Sequence, residues 1–136
     1  MRNISIKGVV AGTALGMLLD LASGIVLTVV CGRGGFEPGI TEADMQRSLA
    51  ETSHSTPFLL GSLVLGSLST VAAGYVSARI ARRLPYWNAA AVGVAGLVIG
   101  GFLADGTLPW WFNLLGFASI LPTALVGGYL AKRRRS

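Results

Sequence analysis

The residue of this chain best suited to chemistry is Asp20, an acidic side chain within an apolar run that extends from Gly8 to Val30. About 20 apolar residues are enough for a helix to cross the hydrocarbon core of a bilayer. A carboxylate at that depth costs about 2.5–3.5 kcal/mol on insertion scales, and such residues commonly mark ion pathways or proton relays. Asp20 is therefore the first candidate for a functional group.

The sequence offers Asp20 hydroxyl groups as partners, and no basic residue at a comparable depth. Counted from the predicted helix ends, the polar residues at mid-depth are Ser67, Ser69, Thr70, Ser119 and Thr123. Two interpretations stay open. In the first, a proton or cation site is formed by Asp20, Ser69, Thr70, Ser119 and Thr123. In the second, Asp20 is a neutral structural group, hydrogen-bonded across helices or paired with a basic residue of a partner protein.

No other pattern of catalytic or metal-binding residues is present in the sequence. Cys31 is the only cysteine and His54 the only histidine, and there is no CxxC or Cys/His metal pattern. A Gly-x-Ser-x-Gly sequence is absent. The GxxxG spacings lie in apolar segments and lack the Lys-Ser/Thr ending of a phosphate-binding loop. We therefore expect that the protein is not an enzyme, and we expect no cofactor and no metal.

Four apolar segments must position these side chains, over about residues 4–31, 57–82, 86–104 and 109–132. Helices satisfy their own backbone hydrogen bonds, as lipid requires, and the segments lack the alternation of barrel strands. The chain of 136 residues is 52% hydrophobic and 12% charged, whereas soluble domains are about 25% charged. We predict an all-α fold in which residues 1–136 form a single domain, a bundle of four transmembrane helices.

The distribution of basic residues predicts the orientation of the bundle. The N-terminus, the turn after the second helix and the C-terminus carry nine of the eleven Lys and Arg residues, so the positive-inside rule places both termini in the cytoplasm. Each basic cluster adjoins an apolar span, which favours lipid head groups over nucleic acid as the partner. The residues expected at the head groups are Arg79, Arg82, Arg83, Lys132, Arg133, Arg134 and Arg135.

The longest connection, about residues 32–56, lies on the opposite side from the basic clusters. Thr41-Glu42-Ala43-Asp44 resembles a capping box, with Asp where Glu or Gln is usual. We expect a short helix there, lying on the membrane surface.

Small residues recur every four positions in the apolar segments, a spacing that lets helix backbones approach closely. These rows either pack the bundle itself or dock another protein or a second copy. Similar motifs recur in the second and fourth segments, as in Gly74-Tyr75-x-x-x-Arg79 and Gly128-Tyr129-x-x-x-Arg133. They are compatible with an internal repeat of a helical hairpin. The predicted packing residues are Gly8, Gly12, Gly16, Gly66, Gly74, Gly93, Gly96 and Gly100.

Two functions agree with these features. The first is a non-enzymatic scaffold or accessory subunit that packs through its Gly/Ala/Ser faces against other membrane proteins or against itself as a homo-oligomer. The alternative is a small oligomeric transporter or channel that uses Asp20 as a proton or cation site. For both we expect the lipid bilayer as a partner, a bacterial inner (plasma) membrane location and no nucleic acid.

Overall fold

A computed structural model describes residues 4–32, 37–82, 84–104 and 106–134, and the secondary structure in these ranges is helical without a strand. Four of its helices are long and apolar enough to cross a membrane. This confirms the predicted all-α membrane protein with four spanning helices, whose ends differ from the predicted ones by one or two residues. The helices are α1 (Ile6–Cys31), α2 (Glu42–Ser53), α3 (Thr56–Ala81), α4 (Pro85–Leu103) and α5 (Trp110–Arg133).

Short polar side chains and prolines begin these helices. The hydroxyl of Ser5 accepts a hydrogen bond from the backbone N–H of Gly8 at the start of α1. At the start of α2, Thr41 accepts from the N–H of Asp44 and donates to its carboxylate, which is the predicted cap. Pro85 is the first residue of α4, where its missing N–H leaves no helical bond unmade.

The spanning helices form two antiparallel pairs, α1 with α3 and α4 with α5. The pairs meet mainly through α3, which packs on both α4 and α5, while α1 makes a smaller contact with α4. Within the described ranges α1 and α5 do not approach each other, and α2 touches the neighbouring ends of α1 and α3 alone.

The bundle divides into two halves along its axis. The half that contains the first halves of α1 and α4 and the second halves of α3 and α5 is called the terminal half. The loop half holds the remaining parts of these helices together with α2. Apart from Thr52 and Leu59, the buried residues of the described ranges all belong to the terminal half: Gly8, Gly12, Gly16, Ser69, Ala73, Gly74, Ser77, Ala78, Asn88, Ala89, Val92, Gly93, Ala124, Gly127, Gly128 and Ala131.

Glycines bring the backbones into direct contact in the terminal half. A Cβ on Gly12 would lie 2.6 Å from the carbonyl oxygen of Ala73, and one on Gly8 would lie 2.8 Å from that of Ser77. A Cβ on Gly74 would collide with the backbone of Ala124. These helices pack because no side chain stands between them.

The other predicted packing glycines have looser surroundings. A Cβ on Gly93 would meet Leu121 at 3.0 Å and one on Gly96 would meet Ile120 at 3.5 Å, whereas one on Gly66 would meet no atom within 4 Å. The tight pair Gly127 and Gly128 was missing from the prediction, although Ala124-x-x-x-Gly128 and Gly127-x-x-x-Ala131 have the same four-residue spacing.

Asn88 links three helices in the terminal half through its side chain and its backbone carbonyl. Its Oδ1 accepts a hydrogen bond of 2.8 Å from the N–H of Ser5, and its Nδ2 donates to the carbonyl of Leu84 at 3.0 Å. The hydroxyl of Ser77 on α3 donates to the Asn88 carbonyl at 3.4 Å. Asn88 is fully buried, so these bonds replace those that water would make.

Basic side chains surround the end of the terminal half. The described ones from the predicted head-group set are exposed, while Arg83 and Arg135 lie outside the described residues. The Nζ of Lys132 lies 5.3 Å from the ring centroid of Tyr86, within the range of a cation–π contact. The position of this end in the cytoplasm stays a prediction.

Candidate functional site

In the loop half the helices separate around an open cavity of about 780 Å³, to which all four spanning helices contribute. Its lining includes Ala73 and Val92, two residues that also contact Gly12 in the terminal half. The cavity therefore begins where the tight packing ends. Its volume lies within the range of about 300–1,000 Å³ that is common for small-molecule sites.

Asp20 lines this cavity and its side chain is exposed there. The hydroxyl of Ser69 on α3 lies near its carboxyl group. The Ser69 hydroxyl donates its single proton to the carbonyl oxygen of Leu65 at 2.9 Å. Because an ionised carboxylate can accept several hydrogen bonds, the exposed Asp20 side chain keeps acceptor capacity for a ligand.

Two further residues of the predicted set, Thr70 and Ser119, also line the cavity. Thr70 donates its hydroxyl proton to the carbonyl of Gly66 at 2.8 Å, and Ser119 donates to that of Gly116 at 2.8 Å. Such bonds to the preceding helical turn are usual for these residues. Because their protons are used, they present oxygen lone pairs to a ligand, as Asp20 does.

The last two residues of the set do not reach the cavity. Ser69 is buried behind Asp20, and Thr123 bonds to the carbonyl of Ser119 at 2.7 Å within its own helix. Neither belongs to the lining. The structure thus brings together Asp20, Thr70 and Ser119 at the cavity, with Ser69 close to the carboxyl group.

Sequence reasoning missed Thr13, which lies at the deep end of the cavity. Its buried Oγ1 has no hydrogen-bond partner within the described part of the chain. Thr13 precedes Asp20 by seven residues, which is about two helical turns, so both lie on one face of α1. That spacing was visible in the sequence, but nothing there marked the face as a cavity wall. The remaining polar lining residues are Ser23, Ser62, Ser67 and Asn113.

The rest of the lining is aliphatic, aromatic or glycine, and it includes Phe112 and Phe117. Among the described residues of the lining, Asp20 is the sole ionisable side chain. In the same ranges no three His, Cys, Asp or Glu side chains lie together as a metal site would require. The cavity thus combines one carboxylate and several acceptor oxygens with a largely apolar wall, which suits a positively charged ligand.

The chain matches no known family model, and no curated protein or solved structure is detectably similar to it. The cavity is therefore the basis on which a function is inferred.

Proposed function

We propose that the protein is a small membrane carrier that binds a cation at Asp20, in the cavity of the loop half. The exposed Asp20 carboxylate in an open cavity is the observation that carries this proposal. A bound cation would offset the cost of holding that charge at mid-membrane depth. Thr70 and Ser119 would contribute oxygen lone pairs on the α3 and α5 sides of the same space.

Proton and cation would compete for the same carboxylate oxygens. A carboxylate and a cation in contact attract more strongly in a low-dielectric interior than in water. When the cation leaves, a proton can take its place and remove the uncompensated charge. Exchange of one for the other at Asp20 is the simplest way in which this cavity would couple transport to a proton gradient.

The scaffold function predicted from the sequence receives less support. It depended on rows of small residues as docking faces, and Gly8, Gly12 and Gly74 contact the protein's own helices instead. Partner proteins and a homo-oligomer stay predictions. In the predicted orientation the termini are cytoplasmic, so the cavity would lie in the half of the bacterial inner membrane that faces away from the cytoplasm.

The test is cation binding to the purified protein in lipid nanodiscs, measured by calorimetry with Na⁺, K⁺ and dodecyltrimethylammonium as probes. We expect at least one of them to bind, and Asp20→Asn to weaken its binding about tenfold or more, which is about 1.4 kcal/mol. Glu51→Gln is the matched control, because this acid-to-amide change removes an exposed carboxylate of α2.

Equal affinities for the wild-type protein and Asp20→Asn would contradict a cation site at Asp20. Absence of binding for all three probes would do the same, and the scaffold function would then be pursued by crosslinking to neighbouring membrane proteins.

A further inference from the structure

We infer that the cation is a lipophilic organic monocation, and that it enters the cavity sideways from the lipid between α1 and α4. We call this gap in the loop half the α1–α4 seam. The inference rests on the proposed function and adds two things to it, a class of ligand and a route.

The composition of the cavity wall sets the ligand class. A small inorganic cation such as Ca²⁺ or Mg²⁺ requires about six oxygen ligands at short distances. Here a single carboxylate stands among apolar side chains in a space of about 780 Å³, far larger than a bare ion. An organic cation instead places its charge beside Asp20 and its apolar body against the wall, which includes the aromatic side chains of Phe112 and Phe117.

The α1–α4 seam is closed in the terminal half. The backbone N–H of Ser5 bonds to Asn88, and a Cβ on Gly12 would meet Val92 at 3.1 Å. Because α1 and α4 run in the same direction, later residues of both helices lie progressively farther into the loop half.

Beyond these contacts the helices no longer meet at the glycines that line the cavity. Gly16 on α1 faces Ala73 of α3, and a Cβ on Gly24 would meet no atom within 4 Å. On α4, a Cβ on Gly96 or Gly100 would meet side chains of α5 alone. None of these four positions has a neighbour across the seam.

Two other helix pairs remain in contact within the loop half. Leu27 of α1 would lie 2.7 Å from a Cβ on Gly61 of α3, and Phe117 of α5 would lie 3.3 Å from one on Gly100 of α4. The α1–α3 and α4–α5 contacts therefore continue into the loop half, beyond the level at which α1 and α4 separate.

Residues at the seam belong to the cavity and to the outer surface at once. Leu18 and Leu21 on α1 are 65% and 64% exposed, and Leu103 on α4 is 74% exposed. All three also line the cavity. In a bilayer these side chains contact acyl chains, so the apolar wall is continuous with the lipid and a ligand dissolved in lipid meets no polar barrier on its way to Asp20.

The experiment closes the seam with a reversible bridge. Leu21→Cys and Leu103→Cys are introduced together in a Cys31→Ser background and joined by a short bis-methanethiosulfonate, with bridging verified by mass. The control pair, Leu27→Cys with Gly61→Cys, bridges a wall that is already closed. We expect the seam bridge to slow the association of dodecyltrimethylammonium in nanodiscs at least tenfold, and reduction of the bridge to restore it. We expect the control bridge to leave the rate unchanged.

Several outcomes would overturn the inference. An unchanged association rate with the seam bridged, while Asp20→Asn still weakens binding, would mean entry from the aqueous loop side and would leave the proposed function intact. Binding of Na⁺ or K⁺ at Asp20 without dodecyltrimethylammonium, or equal binding of uncharged dodecanol, would contradict the ligand class.

A photoreactive aryl-azide analogue of the same quaternary amine tests the route without any cysteine pair. Labelling of peptides that contain Leu21 and Leu103 supports the seam, whereas labelling confined to peptides of α2 overturns it.

Discussion

The two halves of this bundle use the same residue types for opposite purposes. In the terminal half, Gly74 and Gly127 have no side chain, so the backbones of neighbouring helices come into direct contact there. In the loop half, Gly66 and Gly116 line the cavity, where a Cβ on either would meet no atom within 4 Å. Glycines of the terminal half allow helices to pack closely, whereas those of the loop half lie where the helices are separated by the cavity. The difference shows that glycine spacing identifies helix faces without telling whether a face is packed or open.

Hydrogen bonding differs in the same way between the close-packed contacts of the terminal half and the cavity. Asn88 is fully buried in the terminal half, and its side chain is paired with neighbouring backbone. Asp20 and Thr13, at the cavity, keep unused capacity. Helix association in lipid depends on close packing and interhelical hydrogen bonds, and the terminal half supplies both. The association of the helices therefore does not require close packing in the loop half, where the cavity lies.

The strongest test of this comparison adds one methyl group to each half. The Cβ of Gly127→Ala would collide with the carbonyl of Val71 and lie 2.6 Å from the backbone nitrogen of Tyr75. Overpacking typically costs about 1–3 kcal/mol, and backbone atoms cannot move aside as a flexible side chain does. We expect a loss of folded protein or a fall of several degrees in its unfolding temperature. Both are measured by size-exclusion chromatography of the protein in detergent.

Gly116→Ala is the control in the same helix, because its Cβ meets nothing within 4 Å. It should leave the unfolding temperature unchanged, and a similar decrease for both variants would show that the halves are not packed differently.

A smaller effect is expected from removing one buried amide. Asn88→Ala leaves the Ser5 N–H and the Leu84 carbonyl without this partner, and an unpaired buried polar group costs about 1–3 kcal/mol. Asn113→Ala in the loop half removes a longer bond of 3.4 Å to the carbonyl of Leu108. We expect the first variant to unfold at a clearly lower temperature than the second, with faster hydrogen exchange at the start of α1. Equal shifts would argue against the terminal half as the stabilising one.

The smallest expected effect is an increase in stability, whereas the variants above decrease it. Thr13→Val keeps the shape of the side chain and removes a buried hydroxyl without a partner, whereas Thr123→Val removes a hydroxyl bonded at 2.7 Å. Burial of an unpaired hydroxyl costs about 1–3 kcal/mol in protein data, so Thr13→Val should stabilise the ligand-free protein slightly and Thr123→Val should not. If both variants lower the unfolding temperature alike, the Thr13 hydroxyl has a partner in the membrane.

Much of the fold followed from local sequence signals. Apolar length predicted the four spanning helices, prolines marked the starts of three of them, and Thr41 with Asp44 marked the start of α2. Each of these features depends only on residues that are neighbours along the chain, so it can be predicted from a single sequence.

The site was predicted less completely because it depends on which helices separate. The depth of Asp20 could be counted along α1, and Ser69 was among its expected partners. The sequence could not tell that Thr123 bonds within its own helix or that Thr13 lies at the cavity. Both depend on the rotation of each helix about its axis, which is set by contacts between distant segments.

The bond between Ser5 and Asn88 joins residues 83 positions apart, and this separation has a consequence for biogenesis. The first helix enters the membrane before the asparagine that secures its beginning has been translated. At about 5–20 residues per second, the ribosome needs several seconds to reach it. During that interval the start of the first helix can pack against α3 through Gly8 and Gly12 but lacks this hydrogen bond, which synthesis of the third spanning helix supplies.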